Sequence, residues 1–184
     1  MRKVERSDIL DFQTYSDRRE SYRARVLAEK AKRRVHLGSY LTFLFESTDT
    51  IAYQVQEMMR LEQIAREKDI RHEIDTYNQL LGGPGELGCT LLIEIDDAAE
   101  RDVKLRAWLD LPKHLYIELE DGTQARAHWD KAQIGDTRLS SVQYLKFEIG
   151  ARVPIAIGCD HPELSVRQEL SAEQRETLMA DLQL

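Results

Sequence analysis

Apolar and polar positions alternate along several short stretches of this chain. Leu115, Ile117 and Leu119 are spaced by polar residues, and so are Thr123, Ala125, Ala127 and Trp129. A three-residue loop, Glu120-Asp121-Gly122, pairs Leu119 with Thr123, Ile117 with Ala125 and Leu115 with Ala127. This register keeps one apolar face and puts Gly122 at the left-handed bulge position, whereas a two-residue Asp121-Gly122 loop mixes the faces. Leu145, Phe147 and Ile149 can face Val153, Ile155 and Ile157 in a second hairpin across 150–152, with Pro154 suggesting an edge strand. Residues 40–46 are apolar on both sides and read as a central strand, and Cys89–Ile95 reads as another.

Other stretches repeat at helical spacing. Residues 17–33 follow a capping Ser16 and gather Ala24, Leu27, Ala28 and Ala31 into a narrow apolar stripe. Ser47, Thr48 and Asp49 open a helix to about Arg66 whose apolar arc holds Ile51, Val55, Met58, Leu61 and Ala65. A bend near Glu67–Lys68 leads into a helix of about 69–81 with Ile70, Ile74, Tyr77 and Leu81 on one face. Asp97 to Glu100 resembles a capping box ahead of a helix of about 98–110, and Ser171 to Gln174 is one for a short C-terminal helix. The expected architecture is α+β: an antiparallel-rich sheet of about six strands, with four or five helices packed mainly on one face. One domain, 1–184, is expected, with the basic helix at 17–33 at its periphery.

Composition narrows the classes. The chain has 184 residues, 42% hydrophobic and 32% charged, the balance of a globular chain. No apolar run reaches the roughly 18 residues of a membrane helix, and the N-terminus lacks the apolar core of a signal peptide. Two cysteines, Cys89 and Cys159, suit a reducing cytoplasm. The net charge of −7 is unevenly distributed. Residues 1–34 carry +5 and the remainder −12, so nucleic-acid binding by the whole surface is disfavoured. The basic helix, through Arg18, Arg19, Arg23, Arg25 and Lys32, reads either as a solvated face on an edge helix or as a docking surface for an acidic partner or nucleic acid.

The glycines at 82, 83, 85 and 88 lie after a helix and before a strand. A phosphate loop has the opposite order, so the cluster reads as a helix stop and turn, with Gly82 placed for the left-handed conformation. Glu62 falls inside the apolar arc of its helix, beside the sector of Gln54. A buried carboxylate needs a partner or a raised pKa. Gln54, Glu62, Tyr77 and Asn78 are therefore the candidate ligand-binding residues, between the helices of 51–81 and the sheet. Asp69 and His72 have the carboxylate-x-x-His spacing of di-iron bundles but no second copy. Cys159, Asp160 and His161 lie together after a strand and read as a turn. No metal site and no cofactor are expected, and no catalytic motif occurs.

The stretches FLFESTDTIAYQVQEMMRLEQI (43–64), EIDTYNQLLGGPGELGCTLLIEI (73–95) and SSVQYLKFEI (140–149) resemble a bacterial family, domain of unknown function 3501. The resemblance covers nearly the whole chain. In that family the loop after the Asp-Thr-Tyr-Asn segment varies and often lacks these glycines, which agrees with a turn. Its members are often encoded beside a rubrerythrin-like protein and an iron–sulfur oxidoreductase. The resemblance thus implies an accessory protein near cytoplasmic redox or peroxide defence, with a protein partner of one of those kinds, and supplies no catalytic residue. Three readings follow. The first is an interaction protein, which includes the option of a homo-oligomer. The second is a small enzyme or ligand-binding protein with its site around Glu62 and Tyr77. Local nucleic-acid binding comes third.

Overall fold

Eight strands turn alternate apolar residues toward one interior, and that interior organises the computed structural model, which describes residues 1–130, 135 and 137–183. The strands are β1 (Arg34–Leu37), β2 (Leu41–Phe45), β3 (Glu86–Ile93), β4 (Leu115–Leu119), β5 (Gln124–His128), β6 (Val142–Glu148), β7 (Pro154–His161) and β8 (Leu164–Glu169). They form one antiparallel sheet in the order β1-β2-β3-β6-β5-β4-β7-β8. The two ends of the sheet approach each other. Gly38, beside β1, lies so near Val166 of β8 that a Cβ on it would sit 3.3 Å from Val166 Cγ1. The sheet is thus nearly barrel-shaped, with Val35, Phe43, Leu91, Phe147, Ile117 and Ile157 among the side chains that fill it. Near-closure leaves little unpaired edge for another chain to extend.

Five α-helices accompany the sheet among the described residues: α1 (Phe12–Lys32), α2 (Thr48–Leu61), α3 (Glu67–Asn78), α4 (Ala98–Ala107) and α5 (Ala172–Gln183). They are not gathered on one face. α5 touches both β3 and β7, which stand on opposite walls, so it lies across one mouth of the barrel. Leu105 and Trp108 of the α4 region, with Leu111, close the core at the other end. α1, α2 and α3 pack on one another around a second, separate core of Val4, Ile9, Ile51, Val55, Met59, Ile70 and Ile74. The layer lies beside the outer face of β2, β3 and β6, where a cavity separates the two.

The hairpin β4–β5 has the expected three-residue register. Ile117 opposes Ala125, Leu119 N–H donates to Thr123 O, and Gly122 has φ +81°. The Ser171–Gln174 capping box forms with both bonds, whereas Asp97 caps α4 through one, accepting from Glu100 N–H at 2.7 Å, while the Glu100 carboxylate accepts from the Tyr40 hydroxyl instead. The expected second hairpin does not form. β6 pairs with β3 and β5, and β7 with β4 and β8, because the β4–β5 hairpin inserts between them. Pro154 is accordingly no marker of an edge. It opens an inner strand, where a first residue without N–H is tolerated.

The sheet has eight strands where the spacing predicts six, the additional two being β1 and β8. Each is a terminal strand of the sheet whose burial alternates over few residues, and β8 is largely exposed. The glycine turn also differs in detail. Gly82 does not have positive φ, and Gly85 does, at +75°. Gly82 and Gly88 are required by close crossing: a Cβ on either would lie 2.1 or 2.0 Å from a backbone oxygen, of Glu86 or Leu80. Gly85 O accepts from both Ile149 and Gly150 N–H, docking this turn on the β6–β7 corner.

One ion pair joins the helical layer to the barrel. Arg33, the residue that ends α1, donates from Nε and Nη2 to the two carboxylate oxygens of Asp181 on α5, both at 2.8 Å. Asp181 is 3% exposed and Arg33 is 9%. Removing Asp181 leaves the buried Arg33 guanidinium, among the described residues, with only the partly exposed Glu29 carboxylate, 3.0 Å from Nη1. Asp181→Ala is expected to destabilise the fold by about 3–5 kcal/mol, measured as a shift in the urea unfolding midpoint.

Candidate binding site at the helical layer

α1 is capped by Asp11, whose carboxylate accepts from Thr14 N–H at 2.9 Å, so the helix starts five residues before the expected Asp17 and its cap is not Ser16. Its rotation also differs from the one the apolar stripe implies. Tyr15 and Val26 are buried, while Ala24, Leu27, Ala28 and Ala31 are exposed. The reason is polar. Glu57 on α2 accepts from Tyr15 Oη at 2.6 Å and from Arg19 Nε and Nη2 at 2.8 and 2.7 Å. Tyr22 packs edge-on against Tyr15 and stacks on Tyr53 of α2. Aromatic rings and a bidentate arginine pair outweigh three alanines and a leucine, which have little area to bury.

The five basic residues expected to serve one surface are thereby divided. Arg19 is bound to Glu57. Lys32 pairs with Glu29 at 2.8 Å. Arg25 lies over the Tyr22 ring, 4.9 Å from its centroid. Arg18 and Arg23 are exposed. At about 100° per residue, Arg23 and Lys30 flank the outward apolar stripe on one side, and Arg18, Arg25 and Lys32 flank it on the other.

The four ligand candidates are divided as well. α2 ends at Leu61, Glu62 is its exposed C-cap, and Gln63 follows at φ +54°. The expected arc to Ala65 is thus cut short, Leu61 is 63% exposed, and the burial expected for Glu62 does not occur. Asn78 is buried, but both ends of its amide are used. Its Oδ1 accepts from Val4 N–H at 2.8 Å and its Nδ2 donates to Val4 O at 2.9 Å. Gln56, which the pattern did not single out, holds Leu10 in the same manner from α2. These two amides clamp the N-terminal segment onto α2 and α3. Only a tertiary partner reveals them, since neither breaks the periodicity of its helix.

Gln54 and Tyr77 do meet. They line a cavity of about 230 Å³ between α2, α3 and the outer face of β2, β3 and β6, with Leu44, Thr90 and Leu92 opposite. Glu46 stands in its wall and accepts from Thr90 and Thr50 hydroxyls at 2.7 and 2.6 Å. Among the described residues, neither the Gln54 amide nor the Tyr77 hydroxyl makes a hydrogen bond, so both can meet a ligand.

Elsewhere the chemistry-bearing residues are engaged with one another. Asp160 pairs with Arg126 at 2.7 Å and with His114 Nδ1 at 2.9 Å, while His161 Nδ1 accepts from Glu163 N–H. Cys159 points into the core, and burial pushes its thiol up to about 11. Burial also raises the Cys89 thiol well above its usual range. Neither cysteine is therefore a ready nucleophile. Among the described residues no helix is long and apolar enough to cross a membrane.

Comparison with known proteins agrees with this picture of fold without assigned chemistry. The model of the family described as "Protein of unknown function (DUF3501)" matches residues 3–182, so the chain belongs to that family. The crystal structure of a protein of unknown function from Burkholderia pseudomallei K96243 is 30% identical, with a TM-score of 0.90 over 98% of this chain and 100% of that one. No curated protein matches.

Glu57 provides a measurable consequence of the α1–α2 contact. Arg19, aided by Tyr15, holds its carboxyl at about 2 against an ordinary 4.5. A depressed folded pKa contributes stability that is complete above about 4.5 and is lost as pH falls toward about 2. The urea midpoint is expected to drop across that window, and Glu57→Gln is expected to be less stable at neutral pH with a shallower acid slope.

Proposed function

We propose that this chain is an interaction protein that engages an acidic-surfaced protein partner through the exposed face of α1. The observation that carries the reading is the outward stripe of Ala24, Leu27, Ala28 and Ala31, set between two basic rows on a helix whose other face is already committed. Apolar centre and charged rim are the anatomy of a docking patch. The charge balance selects an acidic partner, because steering falls between surfaces of opposite sign. The family resemblance points to a rubrerythrin-like or iron–sulfur protein as that partner, and to an accessory role in redox or peroxide defence.

Binding of those two purified proteins, followed by calorimetry, tests the reading. Leu27→Glu with Arg23→Glu is expected to weaken a complex at least tenfold while leaving the melting temperature within a few degrees, because both positions are exposed. Equal binding by the variant removes α1 from the interface. Sedimentation of the chain alone identifies the competing occupant: self-association abolished by Leu27→Glu assigns the stripe to a second copy instead.

A small-molecule site is the second reading, favoured by the Gln54 and Tyr77 groups, unbonded among the described residues, in the cavity of about 230 Å³. Glu62 takes no part in it, being exposed at the end of α2. Native mass spectrometry of freshly purified chain is expected to show a bound small molecule that Gln54→Leu with Tyr77→Phe loses. A single species at the bare chain mass argues the reading away.

A further inference from the structure

A cleft of about 520 Å³ opens between α1, the N-terminal segment and the first turn of α2. Five charged side chains define its chemistry. Arg2 is satisfied inside the chain, since it pairs with Asp8 at 2.7 Å. Arg18 and Arg25 are not: among the described residues neither faces a carboxylate within ion-pair distance, and Arg18 makes no side-chain hydrogen bond. Arg25 is held in place by stacking on Tyr22, whose half-buried ring lines the same cleft. Among the described residues, Asp49, exposed at the start of α2, is the one carboxylate of the lining besides Asp8.

Geometry restricts what fits. Arg18 and Arg25 are seven residues apart on one side of α1, about 10.5 Å along the axis. One carboxylate or phosphate group is too small to engage both forks while they extend straight from the helix. In polyproline II, residues three apart lie on the same face at about 9.3 Å, which matches the arginine spacing. Such a segment is already extended before it binds, so little ordering entropy is lost. Asp49 makes the cleft a poor host for a continuous polyanion, which argues for spaced carboxylates over a phosphodiester strand.

We propose that this cleft is a peptide site, in which Arg18 and Arg25 each clasp one carboxylate of an extended acidic segment whose two acids are three residues apart. The proposal rests on the interaction reading above and deepens it: the partner's body covers the outward stripe of α1, and an acidic tail or loop of it enters the neighbouring cleft. Each guanidinium presents its fork to one carboxylate, the arrangement in which arginine outperforms lysine. Tyr22 meets the proline rings.

The test uses the full chain and a fluorescent acetyl-Pro-Glu-Pro-Pro-Glu-Pro-amide, read by anisotropy. Saturable binding is expected that weakens with salt, falls at least tenfold when both glutamates are replaced by glutamine, and falls at least tenfold in Arg18→Glu with Arg25→Glu. Arg23→Glu, on the other flank of α1, is expected to bind as wild type. Arg18→Gln with Arg25→Gln is the second variant should the charge reversal impair folding. Absence of saturable binding, equal loss in Arg23→Glu, full displacement by millimolar inorganic phosphate, or tighter binding of oligothymidylate to the same arginines overturns the peptide site. A partner protein that binds while the peptide does not leaves the interaction reading standing and removes the cleft. A peptide that binds while neither purified partner does removes the proposed partners and keeps the cleft.

Discussion

The Glu57 carboxylate decides how α1 is turned. It gathers the Tyr15 hydroxyl and both arms of Arg19, and these three groups can meet only if that side of α1 faces α2. Everything proposed about the surface depends on this rotation. It buries Tyr15 and Val26, commits Arg19, and turns Ala24, Leu27, Ala28 and Ala31 to solvent. The same rotation brings Arg18 and Arg25 to the edge of a cleft instead of a flat basic face. A charged hydrogen-bond network has thus set the direction of an apolar stripe, the reverse of the usual order of influence.

Two cores explain why the helical layer can carry binding while the barrel stays silent. The barrel interior is filled from all eight strands and closed at its mouths by α4 and α5. The layer of α1, α2 and α3 is built on its own cluster, clamped at the N-terminal segment by Asn78 and Gln56 and tied to α5 through Arg33 and Asp181. Between the two lies a seam where Glu46, Thr50 and Thr90 hydrogen-bond and, among the described residues, the Gln54 and Tyr77 side chains remain unbonded. Seams of this kind, between separately packed layers, are where cavities persist, because neither core can fill them. Both candidate sites, the cavity and the α1 cleft, belong to the helical layer.

Much of the barrel was legible from residue spacing. Alternation over 115–129 decided the β4–β5 register, since slipping by one residue would have turned Ile117 outward. The capping residues at Asp97 and Ser171 marked their helices because an N-cap acts within one turn. The glycine cluster was recognisable as a turn from its order between helix and strand. The candidate site was less legible. Gln54 and Tyr77 were found through their helix faces, and they meet across the cavity. Glu62 was misplaced because periodicity extends a helix until something stops it, and the left-handed Gln63 is no conventional stop signal.

Local chemistry therefore determined, from the amino acids alone, the five α-helices and six of the eight strands among the described residues, one hairpin register, two helix caps and the charge division between residues 1–34 and the acidic remainder. These are short-range properties, settled within a turn or a pair of neighbouring strands. Tertiary structure alone decided that eight strands nearly close into a barrel, that a hairpin separates β6 from β7, which side of α1 is buried, and which arginines remain available. Those outcomes turn on contacts such as Arg19 with Glu57, Arg33 with Asp181 and Val4 with Asn78, whose partners lie 38, 148 and 74 residues apart. No periodicity along a chain can encode a partner at such a distance, and at α1 the charged pair prevailed over the apolar pattern.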